Sequence, residues 1–473
     1  MAMTERFFAP CPRGLEAPLE GELGALDATD IAAAEGGVGF AGDLALAYRA
    51  NLESRLASRI LWRVGGGAYR NERDLYALVR EIDWPRLFAP SRSLRVDVAA
   101  SRSPLASLEF ATLRIKDAVC DRFRDASGTR PSVDKRAPDV RVHAHLTEGE
   151  ATVYVDTSGE ALFKRGYRRD ADTAPLRENL AAGLLALAQW TPSRVLLDPM
   201  CGSGTIVTEA AMLAADRAPG LGRSFGFQKL AFYDGPSWQR IRQAAHDRQR
   251  TAPQDATIFA SDIAPPAAAR TEATLRAAKV EGFVRVERAD VLVRAAPAPA
   301  GLLLANPPYG VRLADAKALA AFYPRLGDAL KQRFAGWTAG LFTGDLRLAK
   351  LIGLAPQRRI PLERSDRVPA LRLSDRRRLD APMIESPAPP AVQPGVRIRV
   401  LPHIAMPLLP ARHYVSDHTK FISELLARKP ELETSQRVGR SIWWDKLPSE
   451  VEAQREMNQG RVPAKGYVYY SLK

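Results

Sequence analysis

Apolar residues recur at helical spacing along 43–61, where Leu44, Ala47, Tyr48, Leu52, Leu56 and Ile60 predict one continuous helix. A second helix is predicted over 71–79, with Leu75, Leu78 and Val79 inward, and a third over 107–123, carrying Leu113, Val119 and Phe123. Residues 94–98 alternate as a strand, and 140–144 and 151–155 form a predicted hairpin around Glu148-Gly149-Glu150. Before residue 43 the text is mixed, punctuated by Gly14, Gly21, Gly24 and the pair Gly36-Gly37. This part reads as an α+β module.

After the basic connector Lys164-Arg165-Gly166-Tyr167-Arg168-Arg169 the pattern changes. Short apolar runs at 195–197, 257–260, 284–286, 302–304 and 338–342 alternate with predicted helices at 205–215, 267–278 and 317–334. Strands that read as apolar runs, without alternation, belong to a parallel sheet covered on both faces. The second module is therefore a doubly wound α/β domain. A long insertion, 216–254, interrupts it and holds Phe225, Phe227, Phe232, Tyr233 and Trp238. A proline-rich linker at 381–395 precedes a basic extension, 396–473, with Trp443-Trp444 and three late tyrosines.

Composition narrows the classes. The chain has 473 residues, 46% of them hydrophobic, enough for more than one packed core. No apolar run approaches the ~20 residues of a membrane span, and Glu5 and Arg6 lead into prolines where a signal peptide would turn apolar, so a cytoplasmic protein is expected. Cys11, Cys120 and Cys201 lie too far apart for a disulfide framework, and the six histidines are scattered, His143 and His145 included. No metal is expected. The net charge of +14 favours a polyanionic partner, because phosphate binding releases condensed counterions. The candidate contacts are Arg114, Lys116, Arg122, Arg136, Lys164, Arg165 and Arg168.

The candidate chemistry lies at the ends of the predicted parallel strands. Asp198-Pro199-Met200-Cys201-Gly202-Ser203-Gly204-Thr205 turns from strand to helix, where ligands of doubly wound sheets bind. Gly202 and Gly204 permit a tight turn and a close backbone approach. The dinucleotide fingerprint G-x-G-x-x-G is absent, since Val207 holds its third position, and so is a phosphate-loop lysine. A negative Asp198 repels a pyrophosphate but suits a cationic ligand such as the ammonium of S-adenosylmethionine. Asp262 ends the second strand, where a carboxylate can accept ribose hydroxyls, and Asp290 follows the third, placed to accept from an adenine amino group. Asn306-Pro307-Pro308-Tyr309 closes the fourth strand. The Asn306 side-chain oxygen and the Pro307 carbonyl offer two acceptors for one –NH2, and Tyr309 a flat face for a planar substrate. Orienting a weakly nucleophilic amine in this way is mostly positioning and electrostatics.

Residues 198–206 with 306–310 closely resemble the class I methyltransferases acting on exocyclic amines. Across 7–345 the chain resembles the THUMP-containing ribosomal RNA guanine-N2 methyltransferases of the RlmL kind. Gly14-Leu15-Glu16, Gly36-Gly37-Val38-Gly39-Phe40, Asn51-Leu52, Arg55 and Arg59-Ile60-Leu61 carry the N-terminal part of that likeness. Phe163-Lys164-Arg165-Gly166-Tyr167-Arg168, Ala174-Pro175-Leu176-Arg177-Glu178 and the inserted 218–227 carry the rest. The resemblance implies a ferredoxin-like segment at 1–60, a THUMP domain at 45–156 that grips RNA, and a Rossmann-like class I methyltransferase domain at 157–380. It implies S-adenosylmethionine held by Asp198, Pro199, Cys201, Gly202, Gly204, Asp262, Asp290 and Asn306, and a target base oriented by Asn306, Pro307, Pro308 and Tyr309. It implies 23S ribosomal RNA as substrate, the base flipped out of its helix. Three departures stand out: Ile263-Ala264-Pro265-Pro266 follows Asp262 where the family usually has a second acid, Pro361-Leu362-Glu363-Arg364-Ser365-Asp366 replaces the expected Asn-Gly turn, and the second methyltransferase half of some fused relatives is missing.

The tetrapeptide alone also fits a tRNA guanine, a DNA adenine amine or a protein glutamine amide, although the basic N-terminal module disfavours the last. A catalytically idle RNA-binding assembly factor is the alternative from another class.

Overall fold

The computed structural model describes residues 4–168, 176–308, 313–362 and 370–375. All belong to one unit, Met1–Ile384. The linker at 381–395, the extension at 396–473, Arg169, Ala174, Pro175 and Tyr309 lie outside the described residues.

Among the described residues, fourteen strands form two sheets. The first contains β1 (Glu5–Pro10), β2 (Thr29–Ala34), β3 (Gly37–Gly42), β4 (Leu61–Ala68), β5 (Leu94–Ala100), β6 (Val140–Leu146) and β7 (Glu150–Asp156), in the order β2-β3-β1-β4-β7-β6-β5. It is antiparallel except for the β5/β6 pair. The second contains β8 (Leu196–Asp198), β9 (Ile258–Asp262), β10 (Val284–Arg288), β11 (Leu302–Ala305), β12 (Thr338–Thr343), β13 (Arg358–Pro361) and β14 (Ala370–Asp375), in the order β10-β9-β8-β11-β12-β14-β13. Its first five members are parallel, and β14 runs antiparallel to both its neighbours, β12 and β13. The chain reverses winding between β8 and β11, the switch point at which such sheets bind ligands. The expected α+β module followed by a doubly wound domain is what the protein adopts.

Local chemistry sets the helix ends. Asn71 caps the helix Glu72–Glu81 by accepting from the backbones of Arg73 and Asp74, both at 3.0 Å. Ser107 caps Leu108–Ser127, which ends on Gly128 at φ 68°. One expectation is overturned. The helix predicted over 43–61 ends at Glu53, and Leu61 opens β4. Leu52, Leu56 and Ile60 keep helical spacing and all are buried, but Glu22 turns the chain. Its carboxylate accepts from Ser54 Oγ at 2.6 Å, the Arg55 amide at 2.7 Å and the Leu56 amide at 3.3 Å, supplying the partners that a continuing helix would have had.

The insertion is a strap between the modules. Tyr48, on the helix Leu44–Glu53, lies 4.5 Å from Phe227 and 6.1 Å from Phe232, ring centre to ring centre. Its hydroxyl donates to the Phe232 carbonyl at 3.1 Å and accepts the Asp234 amide at 2.9 Å. Trp62 meets Phe232 edge to face at 5.0 Å. Backbone bonds from Gly220 to Leu52, Phe227 to Thr157 and Ala231 to Leu87 complete the seam. Phe7, Val142, Leu184 and Val207 consequently share one buried cluster, so both modules pack on a common core.

Candidate active site

β8 ends in Asp198, only 2% exposed, and the chain turns through Pro199 to Gly204 into the helix Thr205–Ala214. Gly202 and Gly204 have φ of 58° and 76°, the left-handed region that favours glycine. They differ in surroundings. A Cβ on Gly204 would strike Thr271 at 2.6 Å, whereas nothing lies within 4 Å of one on Gly202. The turn is thus packed on one side and open on the other.

Contacts remote in sequence hold this turn. Asp262, at the end of β9, accepts the Gly202 amide through Oδ2 at 3.0 Å and the Ala264 amide through Oδ1 at 2.9 Å. Thr271, on the helix Pro265–Ala278, donates to the Gly202 carbonyl at 3.2 Å and lies 3.3 Å from Cys201 Sγ. The Cys201 amide donates to Ser261 at 3.0 Å. Burial pushes the Cys201 thiol up to about 12, with the Asp198 charge adding to it, so Cys201 is a wall and not a nucleophile.

Asp198 accepts the Met200 amide at 3.2 Å. Burial, with repulsion from Asp262 added, raises its pKa to about 8. A buried carboxyl held this high is poised for a cationic partner. After β10, Asp290 stands half-buried and accepts the Leu292 amide at 2.9 Å. Two large apolar side chains lie close in sequence to these acids and are exposed, Ile263 at 62% and Val293 at 65%.

β11 runs parallel to β8, with Leu302 beside Leu196 and Leu303 beside Leu197, which brings Asn306 to the same edge as Asp198. Asn306 Oδ1 is buried and has no hydrogen-bond partner among the described residues. Tyr323 donates to the Pro308 carbonyl at 3.2 Å and anchors the backbone beyond it. An orphaned buried acceptor is costly unless a ligand satisfies it.

Sequence reasoning missed Thr271, Ser261, Ile263 and Val293. Thr271 left one signal, a small polar residue in an alanine-rich helix. Ile263 and Val293 left another, each an apolar residue within three positions after a strand-end acid.

The basic residues divide. Arg136 is exposed, Lys164 pairs with Glu160 at 2.6 Å and Arg122 with Asp83 at 3.4 Å, all near solvent. Arg114 lies over the Tyr76 ring at 4.4 Å, and Lys116 pairs with Asp117 at 2.6 Å. These two are two positions apart on one helix and point to different sides. Arg165 corrects an expectation, for it is 4% exposed and cannot reach RNA. It donates to the carbonyls of Leu162 and Arg55 and faces Glu209 at 3.5 Å, while Tyr167 donates to the same Glu209 oxygen at 2.9 Å. Arg168 is also turned inward, donating to Thr205 Oγ1 at 2.8 Å and pairing with Glu178 at 3.5 Å.

Family models match the chain in consecutive segments. The RlmL ferredoxin-like domain matches 6–61, the THUMP domain 69–156 and the RMKL-like methyltransferase domain 165–368. Residues 413–471 match a family described only as of unknown function (DUF3460). The "Ribosomal RNA large subunit methyltransferase K/L" of Cellvibrio japonicus is 41% identical over 74% of this chain, and the chain spans 48% of that protein, about half its length. A candidate RNA methyltransferase of Synechocystis sp. is 37% identical over 76% of this chain and 94% of its own. Among solved structures, SMU.472, a candidate methyltransferase complexed with SAH, aligns with a TM-score of 0.71 and 27% identity, covering 80% of this chain and all of its own. Likeness along nearly the whole of the Synechocystis relative, together with the three consecutive domain matches, makes this chain a member of the RMKL-like methyltransferase family that carries a ferredoxin-like segment and a THUMP domain.

Proposed function

We propose that the protein is an S-adenosylmethionine-dependent RNA methyltransferase that methylates the exocyclic N2 amine of a guanine in 23S ribosomal RNA. The observation that carries the reading is the buried Asn306 Oδ1, an acceptor without a partner among the described residues, at the carboxyl edge beside an open glycine turn. A primary amine is the complementary donor. The names of the K/L relatives support ribosomal RNA as its source.

The donor set fits the cofactor. Asp198 would face its ammonium, the open side of Gly202 would admit its methionine end without a Cβ in the way, and Asp262 and Asp290 would take its ribose and adenine. Ile263 and Val293 would offer apolar faces to the adenine ring. When bound, S-adenosylmethionine supplies the electrophilic methyl group. Asn306 Oδ1 accepts from the target amine, fixing its lone pair toward the edge, and the Pro307 carbonyl is the second acceptor. Proline at 307 and 308 fixes the backbone around these acceptors and removes competing donors. Orientation of this kind needs no strong base.

Mass spectrometry of digested ribosomal RNA from a deletion strain tests the reading. One N2-methylguanosine should disappear and return on complementation; an unchanged modification profile would refute it.

A further inference from the structure

The first sheet carries a cleft of about 220 Å³ far in the chain from the glycine turn, lined by Arg6, Phe8, Gly39, Arg63 and Tyr154, with Asp30 as its one acid. Residues paired across antiparallel strands share a face. Phe8 pairs with Gly39, Arg6 with Ala41 and Arg63 with Tyr154, so these side chains stand on one face. Their neighbours Phe7, Phe40, Trp62 and Val155 occupy the buried opposite face. Glycine and alanine on β3 leave the floor low, and the Phe8 and Tyr154 rings rise beside it, 6.3 Å apart and tilted by 44°. Arg6 is exposed and makes no ion pair among the described residues, while Arg63 has only a loose pair with Glu150 at 3.6 Å. Farther along the same sheet Arg95 and Arg141 face Asp97 at 2.6 and 3.9 Å, so the charge left for a phosphate on this face is that of Arg6 and Arg63.

We infer that this cleft is a nucleotide-binding subsite for a single-stranded segment of the RNA substrate, one base stacking on Tyr154 or Phe8 and its phosphates meeting Arg6 and Arg63. Aromatic rings beside arginines on an open sheet face are the means by which proteins hold unpaired bases. The cleft is smaller than the roughly 300–1,000 Å³ of ordinary small-molecule sites and suits one planar ring. The inference rests on the reading of RNA as substrate and gives that substrate a second point of attachment, remote from the reacting base.

The test uses the full chain and a labelled single-stranded RNA of about twelve nucleotides, read by fluorescence anisotropy over a range of salt. Arg6→Ala should weaken binding about three- to tenfold and lower the salt slope by about 0.7. Tyr154→Ala should weaken it by about tenfold or more, and Tyr154→Phe should bind like the wild type. S-adenosylmethionine affinity, measured by calorimetry, should be unchanged in all three, which separates a lost subsite from a lost fold. Unchanged RNA affinity in Arg6→Ala and Tyr154→Ala would overturn the subsite, as would adenosine monophosphate binding as tightly as the oligonucleotide. A wild type that binds the oligonucleotide through these residues yet methylates no ribosomal RNA would refute the proposed function and leave the subsite standing.

Discussion

Asp262 Oδ2 accepts the amide of Gly202 at 3.0 Å, tying the end of β9 to the glycine turn after β8. The same carboxylate holds the Ala264 amide, so one side chain fixes both the turn and the start of the following helix. Its loss frees two backbone donors and loosens the surface proposed to carry the cofactor. Asp262→Ala should weaken S-adenosylmethionine binding by about tenfold or more, at roughly 1.5–3 kcal/mol for charge-assisted bonds, while the rate at saturating cofactor falls less. Calorimetry with single-turnover kinetics checks the split.

Asp198 gives a pH prediction. Its pKa rises from 3.8 to about 8 in the folded protein, so the native state holds a proton that the unfolded chain releases. The stability contribution is full below pH 3.8 and is lost as pH climbs toward about 8. Asp198→Asn keeps an acceptor for Met200 and removes the titration. The free variant should gain stability over the wild type progressively across that window, by a few kcal/mol at most, at roughly 1.4 kcal/mol for each tenfold change in proton affinity. Cofactor binding should run the other way. Between about pH 5.5 and 7.5 the ammonium stays charged, and wild-type affinity should rise with pH as the carboxylate forms. The Asn variant should bind weakly and without that slope; denaturant melts and calorimetry at each pH measure both.

Arg165 and Arg136 should behave as opposites. Arg165→Ala strands the buried Glu209, already with one oxygen unpartnered, and should cost about 3–5 kcal/mol of stability. At a temperature where the variant is folded, the salt slope of RNA binding should be unchanged. Arg136→Glu should leave the melting temperature nearly alone and weaken RNA binding, flattening its salt dependence. Thermal melts beside binding isotherms separate the two roles.

The strap hinges on one hydroxyl. Tyr48→Phe keeps the ring contacts but removes both bonds to the Phe232 and Asp234 backbone. We expect a loss of about 1–2 kcal/mol and faster cleavage within residues 216–254 in limited proteolysis. Equal cleavage rates would show that the aromatic packing alone secures the strap.

The doubly wound module was legible because its strands are apolar runs bounded by helical spacing. That made the carboxyl edge and its strand-end acids readable from position alone. The N-terminal strands were less visible: Gly37 to Gly42 is glycine and alanine around two apolar residues, and no alternation marks it. The overrun of the helix beyond Glu53 has a different cause, since Glu22 ends it through space, which periodicity cannot register. Arg165 escapes sequence reasoning for the same reason. A run of basic residues announces charge, but only the fold decides which member turns inward to Glu209.

In the proposed function Asn306 serves mainly the reacting amine, and any contact it makes with the cofactor contributes little to cofactor affinity. The most direct test of that role is Asn306→Ala, measured by S-adenosylmethionine calorimetry and by single-turnover methylation of ribosomal RNA on the same preparation. Cofactor affinity should stay within about threefold of wild type while the rate falls by about a thousandfold, in the range of removing one oriented polar group from an active site. A variant that methylates at the wild-type rate, or that loses cofactor affinity as far as it loses rate, would contradict that role.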